Sequence, residues 1–363
     1  MPVSKRVEWL SFLRGLNILL VVMFHVQLID MSTGLNHQFC SDISYPFNPL
    51  RMPLFIFCSG GLLYLSRISK NWSVKSLYID KAKRIFIPFI FFSFIYYFLK
   101  LLVNKYVKTQ VDFSLGNFLE SFIIFEGHPT APLWFLATLM TLMLMYPLFR
   151  FLCNKVFYVV SFFLFCVVFY YIDLTSLLSY NYFYILKINH YLIYFFFGIF
   201  FFRLKIYQFI DNWYYLFIFI TLYIITYYYH IDLLCSILGI LWMISMSMIV
   251  SRYIPNLLSS YREYIYQIYL LSLPFQAFVE LILWKKIFYC ESFFLVFYIL
   301  SILIGLFVPV LISKAVEKTN IKYMKMCFGL KWCVSFIVSW WWLTYTLFLY
   351  FHRWSPQQPY RHH

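Results

Sequence analysis

Long apolar runs separated by short polar connections cover most of the chain from residue 10 onward. Crossing a bilayer takes about 20 mostly apolar residues, because only a helix satisfies its own backbone groups inside hydrocarbon. Eleven runs meet that need: 10–30, 47–66, 85–104, 131–150, 156–173, 182–202, 213–229, 231–250, 264–284, 292–313 and 332–351. The second and ninth are the weakest. The second holds Arg51, Pro53 and the Gly60-Gly61 pair, which point to a short, broken or re-entrant segment. The pattern predicts an all-α integral membrane protein, a polytopic bundle of 10–11 transmembrane helices. We expect one domain over 1–351, with its core at 6–314 and an added helix at 332–351, followed by a polar tail at 352–363.

Composition agrees with that reading. Hydrophobic residues make up 63% of the 363 and aromatic residues 25%, while only 12% are charged. A soluble domain carries roughly 25% charged residues. The formal net charge of +15 would suggest nucleic acid in a soluble protein, but here the basic residues fall in short loops between apolar runs. With a cytoplasmic N-terminus, 19 of the 29 Lys and Arg lie inside, 6 lie outside, and Arg14, Arg51, Lys100 and Lys187 stay at membrane depth. The bias follows the positive-inside rule and predicts N-terminus in, C-terminus out. Nucleic-acid binding loses its support.

The eight cysteines form no C-x-x-C pair and no Cys/His cluster with zinc spacing, so no metal is expected. Most lie in apolar runs, where cysteine acts as a small hydrophobe. Cys40 and Cys290 fall in loops placed outside, where a disulfide is open to them. The first run is too long for a signal peptide and lacks its small-residue cleavage site, so it reads as a retained anchor. No internal repeat of the transporter kind is evident.

Against this background a few polar residues stand out. Ionisable groups within spans are costly and usually face a protein interior or a wet cavity. Arg14 and His25 lie on the first run, eleven residues apart. At about 100° per residue they differ by about 20°, so they share one face, about 16 Å apart along the axis. In "YIDKAKRIFIPF", Lys81 and Arg84 stand at i and i+3 before Pro88, either as a basic flank or as an anion site suited to phosphates. Arg51 lies beside two prolines and ahead of glycines that admit close backbone approach. Ser59 precedes those glycines, and Trp134 opens the fourth run, where a tryptophan is ordinarily an interfacial belt residue.

Taken in order, these stretches resemble the type-3 membrane acyltransferases. The resemblance rests on "LRGLNILLVVMFH", "MPLFIFCSGGLLY", "KAKRIFIP" and "PLWFL", with a fainter echo in "YQIYLLSLP" at residues 266 to 274. Departures mark a divergent branch. Many members have an acidic residue at Ser11, a glutamate shortly after the "WFL" stretch, an arginine at Lys81 and a histidine at Ser272.

The resemblance implies an O-acyltransferase moving an acyl group, acetyl foremost, from acyl-CoA to a hydroxyl of a cell-surface or lipid-linked polysaccharide. His25 would be the base or transient acyl carrier, with Arg14 the second catalytic residue on the same face. Lys81 and Arg84 would hold the anionic donor on the cytoplasmic side. Arg51, Ser59 and Trp134 would serve the oxyanion or the acceptor. Acyl-CoA is expected as a co-substrate rather than a resident cofactor, and the inner membrane as the location. The rival expectation is a flippase for a polyprenyl-linked glycan.

Overall fold

The computed structural model describes residues 5–33, 43–102, 104, 114–125, 128–174, 182–287, 293–319 and 321–330. Ten apolar segments, one of them a bent pair of helices, run through them. The first five are α1 (Glu8–Val26), α2 (Tyr45–Ile68), α3 (Val74–Leu102), α4 (Ala131–Leu144 with Tyr146–Leu152) and α5 (Val156–Tyr170). The rest are α6 (Ile185–Arg203), α7 (Trp213–Tyr228), α8 (Asp232–Tyr253), α9 (Ile265–Trp284) and α10 (Phe294–Lys318). They match the first ten apolar runs one for one. The eleventh run, the tail, Cys40 and Cys290 lie outside the described residues. Seven helices are long and apolar enough to cross a membrane alone, α4 makes an eighth as a bent pair, and α5 and α7 are shorter apolar helices. No strand forms among the described residues. The protein is an all-α, multi-pass membrane bundle.

The expected break in the second run does not occur. α2 is continuous, with a 3-10 turn at its start, a π turn at its end, and Pro53 inside it. A proline within a helix removes one N–H and frees the carbonyl four residues back. That carbonyl, on Pro49, accepts a hydrogen bond from Ser236 Oγ of α8 at 2.6 Å. A neighbouring helix therefore supplies what the proline withdraws, as bundles in lipid commonly arrange. The sharp bend lies instead in the fourth run, where the halves of α4 meet at 52°. Pro147, at the start of the second half, cannot continue the backbone ladder. Tyr78 Oη of α3 donates to the Leu144 carbonyl at the break, at 2.8 Å.

Glycines set the tightest crossing. A Cβ on Gly60 of α2 would fall on the Phe195 carbonyl of α6, and one on Gly198 of α6 on the Phe57 carbonyl of α2. Only hydrogen fits at either place, so the two backbones touch.

α1 runs through the middle of the bundle, packed on α9, α8, α2 and α10. It lies parallel to α9, since Tyr261 Oη reaches the Gly15 carbonyl at one level and His25 meets Ser272 further along. The end of the bundle where α1 begins is called the near end below, the opposite one the far end.

Candidate functional site

At the far end, α1 and α2 cross with Phe24 and Arg51 in contact. The Arg51 guanidinium carbon stands 2.9 Å above the centre of the Phe24 ring. Cations sit favourably over aromatic faces, the more so when desolvated. Its Nε is buried without a hydrogen-bond partner, and Arg51 is the charged group acting on neighbouring His25. His25 is 9% exposed, with Nδ1 3.4 Å from Ser272 Oγ of α9. That contact is long for a hydrogen bond and orients the ring loosely. Nε2 is left as the nitrogen for chemistry.

Aromatic rings extend the cluster. Tyr191 of α6 lies within electrostatic range of Arg51, and its ring stands 5.1 Å from that of Trp134. Tyr269 of α9 donates to the Pro132 carbonyl at 2.5 Å, holding the start of α4 against α9. Phe55, Phe135 and Tyr269 pack as a trio beneath. His25, Ser272, Arg51 and, through Tyr191, Trp134 thus form one chain of neighbours drawn from different helices.

Arg14 lies lower on α1 and faces α2, within electrostatic range of the Cys58 thiol. The rise of about 16 Å between Arg14 and His25 is spanned by a single unbroken helix, Lys5–Thr33. Ser59 follows Cys58, at this lower level, and its hydroxyl donates to the Phe55 carbonyl at 3.0 Å. The structure does not bring Ser59 to His25, and its proton is committed to its own helix. Asn17, one turn above Arg14, is 1% exposed and neither of its side-chain polar atoms finds a partner.

The near end carries a second cluster. Asp80 bridges Arg67 at 2.8 Å and Arg84 at 2.9 Å. Arg67 also lies 3.3 Å over the Trp72 ring. The Trp72 carbonyl accepts from Tyr146 at 2.8 Å and from Arg150 at 3.3 Å. Lys81 stands among Asp80, Arg67 and Arg84. Three cations therefore gather about one carboxylate, with Arg150 a fourth at the Trp72 carbonyl. The α-helical i, i+3 spacing that would put Lys81 and Arg84 on one face is altered, because a π turn over Ala82–Phe86 widens the helix between them. Electrostatic range, rather than a shared face, makes them a pair.

Several members of these clusters escaped the sequence reading. Asp80 stands four residues before Arg84, which is a readable helical pair, but nothing local announces Arg67 or Arg150. Ser272 stood out only as a departure from the family pattern. Glu280, 4% exposed inside α9, was legible as a carboxylate within an apolar run. Among the described residues no group of three His, Cys, Asp or Glu could hold a metal.

Known proteins place the chain by its family alone. No curated protein matches it, and no solved structure does. A family model described as an acyltransferase domain, acyltransferase 3, matches residues 7–314, which covers α1 to most of α10 and both clusters. The chain belongs to the acyltransferase 3 family and is a membrane acyltransferase.

Proposed function

We propose that the protein transfers an acyl group, acetyl foremost, from acyl-CoA to a hydroxyl of a cell-surface or lipid-linked polysaccharide. The observation that carries this reading is the division of labour along α1. A dry imidazole–guanidinium pair lies at one end of the bundle and a surplus of cations at the other, in a chain that matches an acyltransferase family.

The concentration of basic residues at the near end supports placing it in the cytoplasm of a bacterial-type inner membrane. Acyl-CoA arrives there, and its phosphates meet Lys81 and Arg84, with Arg67 and Arg150 adding charge. The donor arm extends past Arg14 toward His25. His25 Nε2 either deprotonates the acceptor hydroxyl or takes the acyl group as an acyl-imidazole and passes it on. Arg51 stands where negative charge develops on the acyl oxygen, and its buried Nε is a donor free to serve it. The aromatic wall of Trp134 and Tyr191 offers a face to the acceptor. Ser59 donates within its own helix, so the oxyanion is assigned to Arg51 here.

The test uses the full chain purified into lipid nanodiscs, labelled acetyl-CoA, and membrane vesicles carrying lipid-linked sugars. Wild type should pass label to the sugar fraction, and His25→Ala should not. Transfer that survives in His25→Ala would sink the assignment. Label retained on wild type without acceptor selects the carrier route, and its absence selects the base route. Movement of lipid-linked sugar across the vesicle with no acyl donor would favour the flippase.

A further inference from the structure

α9 carries a polar stripe that the transfer step leaves unused. Ser272, Gln276 and Glu280 follow at four-residue intervals, so they advance only about 40° each and share a face. That face meets α1 and α10. Ser272 contacts His25 at 3.4 Å. Gln276 is fully buried and donates Nε2 to the Val22 carbonyl of α1 at 3.0 Å. Gly305 of α10 makes room for it, since a Cβ there would stand 2.9 Å from Gln276 Cδ. The Gln276 Oε1 atom is buried with no partner, and so is Ser301 Oγ, one turn along α10.

Glu280 lies two turns beyond Ser272, 4% exposed, at the start of a π-helical segment, Val279–Ile287. Such segments concentrate at functional sites. An intramembrane carboxylate is costly and marks ion or proton paths more often than packing. Buried polar atoms without protein partners are ordinarily satisfied by buried water. Among the described residues the titratable groups on this seam are His25 from α1, Glu280 from α9 and Tyr298 from α10, which packs on Val26. Arg51 of α2 is a permanent charge acting on His25.

We propose that this seam is a proton relay, in which Glu280 takes the proton that His25 sheds during acyl transfer and later returns it. The inference rests on the acyl-transfer reading. In the carrier route, Nε2 bonds to the acyl carbon, the carbon–sulfur bond breaks, and the thiolate takes a proton from water at the near end. The acyl-imidazolium then loses its Nδ1 proton through the Ser272 hydroxyl, Gln276-bound water and finally the Glu280 carboxylate, about 12 Å along α9. When the acceptor oxygen bonds to the acyl carbon, Glu280 returns that proton to Nδ1 and the nitrogen–carbon bond breaks. The acceptor hydroxyl proton leaves to water, so His25 and Glu280 end as they began. In the base route, Nε2 takes the hydroxyl proton and the imidazolium passes its Nδ1 proton along the same path to Glu280. The acceptor oxygen bonds to the acyl carbon, the carbon–sulfur bond breaks, Nε2 gives its proton to the departing thiolate, and Glu280 returns the other proton to Nδ1.

The experiment measures release of CoA thiol from acetyl-CoA by the full chain in nanodiscs, with the same vesicle acceptor. Glu280→Gln should lower kcat by about 10- to 100-fold while the acetyl-CoA KM moves by less than about twofold, because the relay touches neither substrate. Its turnover should climb above about pH 8, where solvent base replaces the carboxylate. Glu280→Asp should recover much of the loss, and Gln276→Leu should reproduce it in weaker form. Full kcat in Glu280→Gln overturns the relay, as does a loss that neither high pH nor aspartate relieves. If Glu280→Gln does not purify as a monodisperse species, Gln276→Leu carries the test, and a wild-type kcat there overturns the proposal. A wild type that releases no thiol from acetyl-CoA refutes the acyl-transfer reading itself, a separate failure.

Discussion

The two cation clusters of this protein solve opposite problems with the same residue type. At the near end, Arg67 and Arg84 share Asp80 and keep part of their surface exposed, so their charge is paired, hydrated and screened by salt. At the far end Arg51 has a Phe24 ring in place of a carboxylate, with Nε buried and unbonded. Charge in a low-dielectric setting acts far more strongly on a neighbour than the same charge in water. The near end is suited to holding an anion that comes and goes, and the far end to acting on charge that appears only during reaction.

The comparison is broken most sharply at the far end. His25→Ala should cost about 10²- to 10⁴-fold in transfer rate with the fold intact, read by label transfer and by elution profile. An enzyme that keeps its rate would move the chemistry off α1. Arg51→Lys comes next. A compact ammonium cannot keep the flat guanidinium contact with Phe24 and points a donor elsewhere. The expected fall is about 10²- to 10³-fold in kcat, with little change in donor KM. A rise in KM at constant kcat would instead make Arg51 a binding residue and erase the contrast.

The near end should respond in KM. Lys81→Ala with Arg84→Ala should raise the acyl-CoA KM by roughly 10- to 100-fold, leave kcat near wild type, and flatten the dependence of KM on salt. Donor binding measured by calorimetry and unchanged in the double variant would remove the donor site from this cluster. The smallest effect belongs to Ser272→Ala. The contact to His25 is long and a water can take the hydroxyl's place as the first link of the relay, so its loss should cost only about 2- to 10-fold in kcat, seen as a modest decline at unchanged KM.

Much of this architecture can be read before any coordinates are known, and the residues show where such reading stops. The positions of the ten described apolar segments follow from run length, because helices are the only open-ended way to satisfy a backbone in lipid. The placement of Arg14 and His25 on one side of α1 follows from helical period alone, and both do face the interior, toward α2 and α9 respectively. Pro53 shows the limit. Its effect depends on whether another helix can serve the freed Pro49 carbonyl, and Ser236, nearly 200 residues away, does so. Pro147 has an unremarkable sequence setting but lies at the bend of 52°. Local rules identify a missing donor, while the neighbours decide between a straight helix and a bend.

The same division holds for the site. Spacing and residue type mark His25, Arg14, Lys81, Arg84 and Arg51 as misfits in an apolar chain, because the cost of a charge in lipid is a property of the residue and its run. Their partners are a matter of rotation and crossing of helices. The seating of Arg51 over Phe24 requires α2 to cross α1 at one level, and Gly60 against Gly198 fixes how α2 lies on α6. Asp80 joins Arg67 to Arg84 only because the connection between α2 and α3 folds back on itself. Ser59 bonds within its own helix, while Ser272 meets His25 across two. Span number, helical faces and the cost of each charge are local properties, carried by hydropathy and a period of 3.6 residues. Which charge meets which ring, carboxylate or imidazole is set by side-chain packing between helices distant in the chain.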